Sequence, residues 1–149
     1  MPLNPMLLAI EQAEMAAQAD EVPIGAVLVD GESGKIIAAA HNLMCTRRDP
    51  IAHAEILVIQ EGCRKSAQMR LAECDLYVTL EPCPMCAQAI SFARIRRLYF
   101  GAYDPKGGGV DHGARIFDQP TCHHRPQVYG GMEEVRCRQL LKNYFAAKR

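Results

Sequence analysis

The chain has 149 residues, of which 49% are hydrophobic, and its 17 Lys+Arg balance its 17 Asp+Glu. That is the length and composition of one globular domain, spanning 1–149, and a net charge of zero gives no global argument for a nucleic-acid partner. No apolar run approaches the roughly 18 residues that cross a membrane. The start, Met1-Pro2-Leu3-Asn4-Pro5, lacks the positive segment of a secretion signal, so a cytoplasmic protein is expected.

Asn4 is a good helix N-cap with Pro5 at the first helical position. Met6, Leu7, Ile10, Ala13 and Ala17 recur at helical spacing, so 5–19 is expected as an amphipathic helix. Residues 22–29 read as a strand, 31–34 as a turn and 35–41 as a returning strand. A polar loop, 42–51, ends in Asp49-Pro50. A helix is expected over 52–68, a central strand over 75–80, a helix from Pro84 to 93 and a strand over 96–100. Asp104 to Gly109 is a loop with three successive glycines. No Lys-Ser/Thr and helix follow them, so a flexible rim is expected and not a phosphate cradle. A short edge strand over 126–130 and a closing helix over 133–147 complete the chain. The alternation predicts an α/β domain with helices on both faces of a mixed sheet.

The seven cysteines are an odd count and cannot all pair within one chain. In a reducing cytosol Cys45, Cys63, Cys74, Cys122 and Cys137 are expected as free thiols. Charge is distributed unevenly. Residues 1–50 carry three Lys/Arg against seven Asp/Glu, and 94–149 carry eleven against five. A basic region near a site would suit a phosphate backbone. A solvated charged face is the more frequent meaning of such a run.

His53-Ala54-Glu55 and Pro82-Cys83-Pro84-Met85-Cys86 carry the chemistry. One His and two Cys can give zinc three ligands, leaving a fourth tetrahedral position open for water, as in catalytic zinc sites. Zinc lowers the pKa of such a water, and Glu55 is close enough in sequence to reach it. A structural zinc would need a fourth ligand from Cys122, His123, His124 or Cys74. A redox pair would need no His-x-Glu. The expected elements put His53 and Glu55 in the first turn of one helix and Cys83 and Cys86 at the start of another. Two helix N-termini would then meet at the metal and favour thiolate.

His-x-Glu followed by Pro-Cys-x-x-Cys resembles the signature of the zinc nucleobase deaminases. With Glu21–Val27, Asp49–Ile56, Leu76–Cys86, Ala93–Ile95 and Gly101–Gly107, the chain resembles bacterial tRNA-specific adenosine deaminases of the cytidine-deaminase-like superfamily, over nearly its whole length. The resemblance implies a three-layer α/β/α domain with a mixed sheet of about five strands. It implies one Zn2+ per subunit, a homodimer, and hydrolytic deamination of the wobble adenosine of a tRNA anticodon to inosine. It makes His53, Cys83 and Cys86 the zinc ligands and Glu55 the proton shuttle. Asn42 would bond the base, and the backbone at Ala54 and Glu81 would line the pocket. Asp104 and Lys106 would approach the flanking nucleotides, while Phe145, beside Tyr144 and the terminal Lys148-Arg149, would meet the anticodon stem-loop. Gln88 departs from the family, where Gly is common, and Pro84 is shared with guanine deaminases.

Two other readings use the same residues. One is a deaminase of a free base or nucleoside, such as guanine, cytosine or cytidine. The other is a non-catalytic zinc- and RNA-binding module, against which an intact Glu55 argues.

Overall fold

The structure is a computed structural model, and residues 4–148 are described. Arg149 of the basic end and Met1 to Leu3 of the N-terminal segment lie outside them. Helix Pro5–Gln18 (α1) begins as the sequence predicts, with Asn4 Oδ1 accepting the backbone N–H of Met6 at 3.0 Å and Pro5 in the first turn. Strands Gly25–Asp30 (β1) and Ile36–His41 (β2) form an antiparallel hairpin. The first strand starts later than the apolar run at Val22.

Residues Met44–Arg47 form a one-turn helix (α2) inside the segment expected to be loop, ended by Arg48 in the left-handed region. Its cause is tertiary. Glu21 is buried and accepts the N–H groups of Cys45 and Thr46 and the Thr46 hydroxyl. Helix Ala54–Ser66 (α3), strand Cys74–Leu80 (β3), helix Pro84–Phe92 (α4) and strand Arg97–Ala102 (β4) follow. A short 3-10 turn at Ile116–Asp118, strand Gln127–Tyr129 (β5) and helix Glu134–Ala147 (α5) end the chain.

The sheet order is β2-β1-β3-β4-β5. β1 runs antiparallel to β2 and β3, whereas β3, β4 and β5 are parallel. α1 and α5 cover one face around Met6, Ile10, Val27 and Cys137. α3 and α4 cover the other around Val58, Leu76, Ile90 and Phe100. This is the expected three-layer α/β/α arrangement of five strands. Gly25 shows why small residues mark one layer contact: a Cβ there would lie 2.0 Å from the Ala9 carbonyl oxygen of α1. Parallel strands β3 and β4 place their carboxyl ends, and the loops beyond them, on one edge. The candidate site sits there.

Candidate active site

α3 and α4 begin at the same point in space. His53 holds the N-cap position of α3 and Cys83 that of α4, each in extended backbone. Cys86 lies within the first turn of α4 and is fully buried. The Cys86 and Cys83 Sγ atoms lie 3.4 and 3.7 Å from His53 Nδ1. All three donor atoms fall within 4.8 Å of one another, and this is the one such group of three or more His, Cys, Asp or Glu among the described residues.

The candidate fourth ligands are elsewhere. Cys74 is buried at the start of β3. Cys122 Sγ and Ser91 Oγ both reach the His124 backbone oxygen, while His124 Nε2 contacts the Ile95 oxygen. His123 is exposed. His124 thus fastens the 119–126 segment to α4, and the site keeps three donors.

Glu55 stands in the first turn of α3, 4% exposed. Its Oε1 is the one fully buried side-chain oxygen or nitrogen without a hydrogen-bond partner among the described residues. Burial pushes its carboxyl up to about 7. Leaving a buried carboxylate oxygen unpaired costs about 1–3 kcal/mol or more, so a polar group belongs against it. In the donor group, a hydrogen bond from the Cys86 thiol holds Cys83 down at about 4, and sharing that proton pushes Cys86 up. The hydrogen bond to Cys83 raises His53. The group therefore holds protons in the places a cation would take, since metal binding displaces protons from thiols and imidazoles. Donor chemistry, spacing and the orphaned oxygen all fit a metal ion with a water beside Glu55.

Asn42 is buried at the end of β2, and its Oδ1 accepts the N–H of Ala54 at 2.9 Å. It caps α3 from outside the helix, where His53 offers no side-chain cap. Ala54 is fully buried. Glu81 is more than a lining residue. Its side chain is buried and accepts backbone N–H groups from Asp104, Val110, Asp111 and His112, and it pairs with the His112 ring at 2.8 Å. Burial alone would raise its pKa, but these donors, led by the Asp104 N–H, hold it below the ordinary value. The 104–109 segment, expected as a flexible rim, is therefore anchored. Gly108 and Gly109 are buried because the loop packs directly on its neighbours. Sequence reasoning missed this, since a glycine run signals equally a flexible turn and a close approach.

Asp104 is half-buried and accepts the N–H of Gly107, and Lys106 is exposed. Phe145 lies on the outer side of α5, 47% exposed, against Tyr144. Tyr144 Oη donates to the Asp20 carbonyl, and Lys148 pairs with the Asp20 carboxylate. The end of α5 is thus tied next to Glu21, which holds the α2 turn. Among the described basic residues of 94–149, Arg96, Arg125, Arg136, Arg138 and Lys148 each pair with a carboxylate.

Glu21 supports one testable result. Burial would raise its pKa, yet the Thr46 and Cys45 hydrogen bonds hold it below the ordinary value. Such a group stabilises the fold above its unfolded pKa, and the gain disappears as pH falls through its folded pKa. Glu21→Gln should cost about 1–3 kcal/mol near neutral pH. The difference from the parent should shrink in denaturant titrations as pH falls below the ordinary carboxylate range.

The family profile of the MafB19-like deaminases matches residues 3–149. The chain belongs to this deaminase family. A tRNA-specific adenosine deaminase of Agrobacterium fabrum is 56% identical over 144 residues, covering 97% of this chain and 93% of its own. A solved structure from a study of A-to-I editing by tRNA deaminases at the wobble position of transfer RNA superimposes with a TM-score of 0.89. It is 56% identical and covers 92% of this chain and 98% of its own. A guanine deaminase from Nitrosomonas europaea superimposes with a TM-score of 0.83 at 24% identity, covering 95% of this chain and 83% of its own, and shows the shared fold alone.

Proposed function

We propose that this deaminase converts the wobble adenosine of a tRNA anticodon to inosine, using one Zn2+ per subunit. The observation that carries the chemistry is the partnerless, buried Glu55 Oε1 beside the His53, Cys83 and Cys86 donors. The choice of substrate is supported by the tRNA-specific adenosine deaminases to which the chain is similar. Zinc held by His53, Cys83 and Cys86 would lower the pKa of a water and supply the nucleophile for C6 of adenine. Glu55 takes a proton from the attacking water and passes it to N1. It then takes the remaining proton from the hydroxyl now on C6 and passes it to the leaving amino nitrogen as the C6 carbonyl forms. Water is consumed and ammonia departs. Asn42 has its Oδ1 committed to Ala54 N–H, which leaves its amide NH2 to donate to the base. The pocket is reached by a base out of its stack, and an anticodon loop presents one.

Asp104, Lys106 and Phe145 are the proposed contacts to the rest of the RNA. The protein acts as a cytoplasmic homodimer. Support for the second copy comes from an apolar groove between α3 and α4, lined by Ile56, Ile59, Ala89 and Phe92, with Met69 85% and Phe92 71% exposed. Exposed apolar patches of this kind favour a protein partner.

The test incubates zinc-loaded protein with a stem-loop carrying A at the wobble position, and separately with free guanine, cytosine and cytidine. Inosine should form in the RNA alone. Turnover of a free base with the RNA untouched would refute the reading.

A further inference from the structure

The 104–112 loop has no strand or helix to satisfy its backbone. One side chain replaces them. Glu81 Oε1 accepts Asp104 N–H at 3.0 Å and contacts His112 Nδ1 at 2.8 Å. Glu81 Oε2 accepts Val110, Asp111 and His112 N–H at 3.2, 2.9 and 3.1 Å. All five donors come from this one loop, and the carboxylate is wholly buried. Charge-assisted bonds of this kind are among the stronger ones in a fold.

The same loop is indexed to a metal-ligand position. Gly109 N–H donates to the Pro82 carbonyl at 2.8 Å. A Cβ at Gly109 would lie 2.5 Å from the Pro84 nitrogen and 2.9 Å from the Cys83 carbonyl carbon. Glu81 itself is two residues before Cys83. The position of Asp104 relative to the His53, Cys83 and Cys86 group is therefore set through Glu81.

We propose that the Glu81 side chain is a positioning residue for the substrate, holding the 104–112 loop against the metal-binding turn so that Asp104 and Lys106 meet the RNA in register with the reacting base. This rests on the RNA adenine reading above and deepens it. The carboxylate does not touch the reacting atoms. It fixes the distance between the place where chemistry occurs and the place where the flank is held, and such fixed geometry is a large part of catalytic advantage.

The exchange Glu81→Gln is nearly isosteric but cannot reproduce the arrangement. With its NH2 in the Oε2 place three backbone bonds of the loop are lost, and in the Oε1 place the Asp104 N–H bond is lost. Gly108→Ala attacks the same contact from the other side without changing Glu81. Its Cβ would lie 2.4 Å from Glu81 Oε2 and 2.6 Å from the Asp104 carbonyl oxygen.

Both variants are compared with the parent as zinc-loaded full chains. Measured are bound zinc, amide hydrogen exchange over 104–112, and kcat and KM on the anticodon stem-loop. Expected are unchanged zinc, loop exchange faster by about tenfold or more, KM raised by about tenfold, and kcat within about threefold. The KM-against-kcat split separates positioning from general structural damage. Unchanged exchange, or an unchanged KM on a substrate that the parent deaminates, overturns the proposal. A fall in kcat together with zinc also overturns it, because Glu81 would then serve the metal site. A parent that leaves the RNA untouched refutes both the functional reading and the positioning role, and exchange then decides separately whether Glu81 clamps the loop.

Discussion

Replacing Glu55 with Ala will lower deamination of the anticodon stem-loop by about 10³-fold or more, with zinc still bound. Glu55 contributes no atom to the group of three donors, so the donors survive its loss. In the proposed mechanism, what disappears is the acceptor for the proton of the attacking water and the donor to N1 and the leaving nitrogen. Oε1 of the carboxylate has no hydrogen-bond partner, and desolvation by burial is the largest influence on the group, so the variant should be at least as stable as the parent. Inosine release, zinc content and a thermal melt check the three parts. Activity within about tenfold of the parent would remove Glu55 from the proposed mechanism.

Replacing Cys86 with Ser should remove the metal, and activity with it. Cys86 is fully buried in the first turn of α4, and a metal bound there would displace its thiol proton. A hydroxyl there is a poor, uncharged donor to zinc, and two of the three proposed ligands would remain. Zinc per chain should drop by about tenfold at least, since even outer contacts of such sites cost that much. The melting temperature should fall to that of parent protein stripped with a chelator, because metal binding stabilises only the native state. Zinc retained at one per chain would exclude Cys86 as a ligand. Glu55→Ala and Cys86→Ser thus separate loss of proton transfer from loss of the metal.

The order of layers was legible because apolar periodicity and turn residues are local. Asn4-Pro5 placed the start of α1 correctly, and the run from Asp75 to Leu80 gave β3 nearly to the residue. The donor group was legible because His53, Glu55, Cys83 and Cys86 sit at fixed short spacings around two helix starts. The one-turn helix α2 was not, because its cause is Glu21, more than twenty residues away in sequence. The clamp on the 104–112 loop was invisible for the same reason: Glu81 meets its five donors only after β3 and β4 pair in parallel. The basic run of 94–149 could be counted in the sequence, but not which of its charges pair: Arg96, Arg136 and Lys148 meet carboxylates of Asp75, Glu14 and Asp20, all distant in sequence.

The sequence by itself laid out the candidate donors: one imidazole, two thiols and one carboxylate, each at the start of a helix. Tertiary structure alone decided how those two starts meet and which groups surround them. Hydrogen bonds between distant residues, such as Asn42 to Ala54 and Glu81 to the loop, have no periodicity to read. They form only where the packed sheet brings a buried acceptor to backbone amides that have no other partner.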